Sequence, residues 1–113
     1  MITIYHNNRC RKSREGLEIL QNSGKEFKIV TYLENIPSKE ELKKIINLLD
    51  IQPIELVRKN EAIWKSDYKG KELTNDEIII AMIENPKLIE RPIVINKEKA
   101  VIGRPPKTIL DII

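Results

Sequence analysis

A chain of 113 residues with 41% hydrophobic and 33% charged side chains is long enough to bury one hydrophobic core and too short for two. A single domain over residues 1–113 is therefore expected, neither disordered nor fibrous. The 20 Lys and Arg exceed the 17 Asp and Glu by a net charge of +3, but the signs interleave in runs such as Lys39-Glu40-Glu41-Leu42-Lys43-Lys44, a solvated helix surface that argues against nucleic acid as a partner. No apolar run approaches the ~18 residues that span a bilayer, and no signal-peptide pattern opens the chain. With a single cysteine, no intrachain disulfide can form, so a soluble, cytoplasmic protein in a reducing compartment is expected, with no membrane partner.

Ile2-Thr3-Ile4-Tyr5 is β-prone and stops at His6-Asn7-Asn8, whose asparagines favour a turn. From Lys12 the residues become helix-forming, with Leu17 and Leu20 about one turn apart and Gly24 where a helix end wants positive φ. Phe27 to Tyr32 alternates and is rich in β-branched residues, which predicts a second, parallel strand in a βαβ unit. Ser38-Lys39-Glu40-Glu41 is a capping-box pattern, followed by Leu42, Ile45, Ile46 and Leu49 at helical spacing. Pro53 opens a short helix through Val57. After the polar stretch Ser66 to Lys71, Thr74-Asn75-Asp76-Glu77 starts a further helix that Asn85-Pro86 ends. Pro92-Ile93-Val94-Ile95 and Ala100-Val101-Ile102 flank Asn96 to Lys99 as a β-hairpin, and Pro105-Pro106 begins a terminal helix. The order β-α-β, helical block, β-β-α predicts an α/β fold of thioredoxin-like type. Its mixed sheet would have about four strands, with helices on both faces and a helical insertion at about residues 35–90.

A lone cysteine is ordinarily a small buried hydrophobe. Cys10 is instead set in His6-Asn7-Asn8-Arg9-Cys10-Arg11-Lys12-Ser13-Arg14, where a helix N-terminus, nearby cations and hydrogen bonds from His6 or Ser13 would all favour its thiolate. The same loop could bind an oxyanion. His6 could equally be a capping or packing residue and Ser13 a first-turn hydroxyl. With one His and one Cys, a metal site lacks its usual ligands. Arg91-Pro92 and Arg104-Pro105 border the hairpin and Arg58 follows a short helix. If these three arginines converged, their guanidinium forks would suit a tetrahedral oxyanion.

Taken together, Ile4-Tyr5-His6-Asn7 with Cys10 and Ser13-Arg14, Tyr32-Leu33-Glu34, Val57-Arg58-Lys59-Asn60, Asn85 to Val94 and Ile102-Gly103-Arg104-Pro105-Pro106 resemble, from end to end, the glutaredoxin-dependent arsenate reductases of the ArsC family. Around Asn85–Arg91 and Gly103–Pro106 they are closest to its arsenate-reductase-like branch. The resemblance implies a thioredoxin-like fold and an oxidoreductase in which Cys10 is the nucleophile. Arg58, Arg91 and Arg104 would bind the oxyanion, His6 and Ser13 would promote the thiolate, and Pro92 would follow a cis peptide bond. It also implies no bound cofactor, glutathione as co-substrate, glutaredoxin as partner and arsenate as substrate; a monomer is the simplest assembly. The departures are Asn8-Arg9, where the family usually has Pro and a small residue, and Arg11-Lys12 in place of a small pair. Two further readings stay open: a glutathione-dependent reductase of mixed disulfides, and a non-catalytic adaptor like the Spx-type transcription regulators. The latter commonly carry C-x-x-C where this chain has Cys10 and Ser13.

Overall fold

Strand β1 (Ile2–His6) carries Ile2 and Ile4 on one face and Tyr5 on the other, and all three are buried. A strand buried on both faces belongs at the centre of a sheet, and β1 lies there. In the computed structural model, which describes residues 1–113, the four strands run in the order β2-β1-β3-β4. Strand β2 (Phe27–Thr31) pairs with β1 in parallel, Ile4 opposite Ile29. On the other side, β3 (Ile93–Asn96) is antiparallel to β1 with Tyr5 opposite Ile93, and β4 (Lys99–Ile102) is antiparallel to β3 with Ile93 opposite Ile102. The sheet is therefore mixed, and the fold is the thioredoxin-like α/β arrangement.

Two compact units make up the chain, residues 1–35 with 91–113, and residues 36–90. The first holds the sheet, helix α1 (Arg11–Ser23) and a terminal 3₁₀ helix, Pro106–Asp111. Its core joins Ile2, Ile4, Leu20, Val94 and Ile109, with Leu17, Phe27 and Val101 packed against them. Each fully buried side chain of this size contributes about 1.5–3 kcal/mol. Gly24 ends α1 at φ 74°, a conformation that glycine adopts without steric cost.

The second unit is helical. Helices α2 (Lys39–Leu49), α3 (Ala62–Asp67) and α4 (Asn75–Glu84) alternate with 3₁₀ turns at Pro53–Leu56 and Pro86–Leu88. Ser38 Oγ accepts from the Glu41 N–H to start α2, and Thr74 and Glu77 close a reciprocal capping box on α4. Leu42, Ile45 and Ile46 of α2 and Ile78, Ile79 and Met82 of α4 are buried, and the two helices pack together. An antiparallel bridge between Val57 and Ile89 ties the flanking segments. This unit is the predicted helical insertion.

Several local expectations shift. The first hairpin strand starts at Ile93 rather than Pro92, and both strands gain a residue at the turn, Asn96 and Lys99, leaving Lys97-Glu98 as the loop with Lys97 at φ 59°. Helix α1 begins one residue earlier, at Arg11, and β2 stops at Thr31, with Tyr32 buried in the following turn. The terminal helix is 3₁₀ over its whole length, with Thr108 Oγ1 donating to the Pro105 carbonyl at 2.8 Å. Helix α3 lies partly in the stretch read as polar. No helix is long and apolar enough to cross a membrane.

Candidate active site

Register places the site. Asn7 is two residues beyond Tyr5, Arg91 two before Ile93 and Arg104 two after Ile102, so continuing the Tyr5–Ile93 and Ile93–Ile102 pairings outward sets all three at one end of the sheet. The loop after β1 turns there: the Cys10 N–H donates to the Asn7 carbonyl at 3.0 Å, and Asn7 Oδ1 accepts from the Arg9 N–H at 3.0 Å. Cys10 is the N-cap of α1, with extended backbone at φ −97° and ψ 123°. Its sulfur thus sits where the first N–H groups of a helix have no intrahelical partner, a favourable place for an anion.

Arg104 Nη2 lies 3.4 Å from Cys10 Sγ, and Arg104 Nε donates to the Arg91 carbonyl at 2.9 Å. Arg91 is buried and its side chain hydrogen-bonds the sulfur. Burial alone would push the Cys10 thiol up. The Ser13 backbone N–H, the Arg91 hydrogen bond and the charges of Arg91 and Arg104 outweigh it and hold the thiol below its ordinary value of 9.0.

Ser13 is fully buried, and its hydroxyl bonds to the end of β1 and the residue after it. It lies 2.7 Å from His6 Nδ1 and accepts the Asn7 N–H at 3.0 Å. It is the backbone of Ser13 that acts on Cys10. His6, also buried, is held below its ordinary value of 6.5. Desolvation is the main cause, a backbone hydrogen bond at Ser13 works against it, and the Arg14 charge adds to it. His6 is therefore neutral at neutral pH, and the positive charge beside the thiol comes from arginine.

The Arg91–Pro92 and Arg104–Pro105 peptides are both cis. Pro92 is fully buried, and its carbonyl accepts the Gly103 N–H at 2.8 Å. Arg58 belongs to the 36–90 unit, where it is flanked by Glu61 Oε2 at 3.6 Å and Glu90 Oε1 at 3.7 Å, and its N–H donates to the Leu88 carbonyl at 2.7 Å. The structure thus brings Cys10, Arg91 and Arg104 together and gives Arg58 two carboxylate partners of its own. Nowhere do three or more His, Cys, Asp or Glu side chains gather as a metal ion would require. Sequence reasoning missed the packing role of Gly16, a glycine inside a helix, which is the one local signal that pointed to it.

A parallel β1–α1–β2 unit, an antiparallel β3–β4 pair and a lone cysteine capping the first helix define a thioredoxin-like thiol protein. Residues 5–112 match the ArsC family, and the chain belongs to that family. It is 42% identical over 114 residues to an arsenate reductase of Haemophilus influenzae, covering 99% of this chain and 98% of that protein. It is 41% identical to the uncharacterized protein YfgD of Escherichia coli K12, covering 99% and 96% of the two chains. The solved structure of an arsenate reductase from Vibrio cholerae superposes with a TM-score of 0.94 at 42% identity, over 99% of this chain and 97% of that one.

Proposed function

We propose that this protein reduces arsenate to arsenite through the Cys10 thiolate, using glutathione and glutaredoxin as thiol donors and no bound cofactor. The observation that carries this reading is the seat of the Cys10 sulfur, at the N-cap of α1 and 3.4 Å from Arg104 Nη2. Its family and its arsenate-reductase relatives support arsenate as the oxyanion. In the first step the Cys10 sulfur bonds to arsenic and one As–O bond breaks, the oxygen leaving as water with a proton from solvent. Arg91 and Arg104 neutralise the remaining oxygens as charge builds on them. A glutathione thiolate then attacks the Cys10 sulfur. The S–As bond breaks with its electron pair on arsenic, As(V) becomes As(III), and Cys10 is left in a mixed disulfide with glutathione. A second thiol, from glutaredoxin or glutathione, attacks that disulfide, freeing Cys10 and carrying the oxidation away as an external disulfide. The external route is required because Cys10 is the only cysteine.

The test is arsenite production by purified protein with arsenate and glutathione, with and without glutaredoxin. Turnover that vanishes in Cys10→Ser supports the reading, and no arsenite under either condition overturns it. Turnover of a glutathione mixed disulfide without arsenite would assign the thiol chemistry to disulfides instead.

A further inference from the structure

Pro92 and Ile109 share a seat between two glycines. A Cβ built on Gly16, in α1, would stand 2.9 Å from Pro92 Cγ and 2.9 Å from Ile109 Cδ1. One built on Gly103 would stand 2.8 Å from the same Pro92 carbon and 3.1 Å from the same Ile109 carbon. Neither glycine is among those with positive φ, which are Gly24 and Gly70, so what both supply is space. Carbon atoms pack at about 3.5–4.0 Å, so a methyl at either position requires a shift of roughly half an ångström or more. The Pro92 ring can adjust only its pucker, its Cγ being approached from both glycines, and Pro92 and Ile109 are both fully buried.

Each side of this seat is covalently next to an element of the site. Gly16 lies on the helix capped by Cys10, Pro92 follows Arg91, and Gly103 precedes Arg104. Two hydrogen bonds make the linkage stiff: Gly103 N–H to the Pro92 carbonyl at 2.8 Å, and Arg104 Nε to the Arg91 carbonyl at 2.9 Å. We propose that Gly16 and Gly103 are positioning residues, whose missing side chains let Pro92 seat between them and so set the spacing of Arg91 and Arg104 from the Cys10 sulfur. A displacement that opens the 3.4 Å N–S contact weakens the interaction of the guanidinium with the thiolate.

This rests on reading Cys10 as a reactive thiolate, but its test needs no arsenate. The rate of Cys10 alkylation by iodoacetamide is followed against pH in wild type, Gly16→Ala, Gly103→Ala and Met82→Ala. Met82 is fully buried in the 36–90 unit, so Met82→Ala lowers stability by opening a cavity and leaves the midpoint where it is. Both glycine variants raise the midpoint, by about half a unit or more for loss of part of the arginine interaction. Adding Ile109→Val to Gly103→Ala removes Ile109 Cδ1 from the three crowded atoms and keeps Pro92 Cγ at 2.8 Å and Ile109 Cγ1 at 3.3 Å. This double variant stands in if the single one does not fold, with its midpoint still raised. Folded glycine variants whose midpoints match wild type overturn the proposal. An ordinary free-thiol midpoint in wild type would overturn the reading of Cys10 itself, and the two failures are distinct.

Discussion

Arg104 spans the gap between the hairpin and the first helix, its Nη2 3.4 Å from the Sγ of Cys10. The reach is held from behind, since Nε of the same guanidinium donates to the Arg91 carbonyl at 2.9 Å. An arginine tied at one nitrogen and aimed with another pays less conformational entropy on meeting an anion than a free one. Arg104→Gln removes the charge and shortens the arm. The Cys10 alkylation midpoint is expected to rise, and protection of the thiol by added arsenate or sulfate to weaken by about ten- to a hundredfold, for loss of a charged hydrogen bond worth about 1.5–3 kcal/mol. Alkylation rates against pH, with and without the anion, check both. An unchanged midpoint would remove Arg104 from the thiolate's surroundings.

Ser13 separates stability from reactivity. Its fully buried hydroxyl meets His6 Nδ1 and the Asn7 N–H, while its backbone N–H acts on the thiol. Ser13→Ala deletes the first set and keeps the second. Stability is expected to fall by about 1–3 kcal/mol, the cost of leaving a buried donor unsatisfied, with the alkylation midpoint moving less than in Arg104→Gln. Urea unfolding and the alkylation profile measure the two effects. A larger midpoint shift in Ser13→Ala than in Arg104→Gln would mean that the hydroxyl, not the backbone, controls the sulfur.

These contrasts mark what the residues reveal without coordinates. The β-prone run Ile2 to Tyr5 and the cap at Thr74–Glu77 are local signals, and local signals are readable because neighbours in sequence produce them. Helix α3, six residues from Ala62 to Asp67, is too short to show a period and forms in its tertiary setting. Cys10 stood out from its own loop. The seat of Arg91 and Arg104 depends on the register of β3 against both β1 and β4, which hydrophobic alternation leaves undetermined until the turn is known. Two-residue spacings outward from Ile93 and Ile102 were present in the sequence all along, but only the pairing makes them opposite one another. The overlap at Gly16 is less visible still, because it concerns atoms that the side chain lacks.

A lowered thiol is also a statement about stability. The folded chain loses the Cys10 proton at lower pH than the unfolded chain, whose value is about 9.0. Between those two values the unfolded state binds more protons, so stability rises with pH across that window and levels off above the upper limit. Cys10→Ser lacks the ionisation. The stability difference between wild type and Cys10→Ser is expected to grow in favour of wild type as pH rises towards 9.0, by urea unfolding under reducing conditions. A difference that stays flat over that range would show a thiol with the same affinity for its proton in both states.

His6 titrates with the opposite consequence at the acid end. Its imidazole is held below 6.5, chiefly by desolvation, with the Arg14 charge adding and a backbone hydrogen bond at Ser13 opposing. Below 6.5 the unfolded chain takes up a proton that the folded chain resists. Stability therefore falls as pH drops through 6.5 and stops falling, as far as His6 is concerned, once the folded value is passed. His6→Asn cannot take up that proton, so its unfolding free energy is expected to be lower than wild type at pH 7.5, through the disturbed contact with Ser13, but flatter as pH falls through 6.5. Urea unfolding at half-unit intervals measures both slopes. Equal slopes would mean that His6 protonates as readily folded as unfolded.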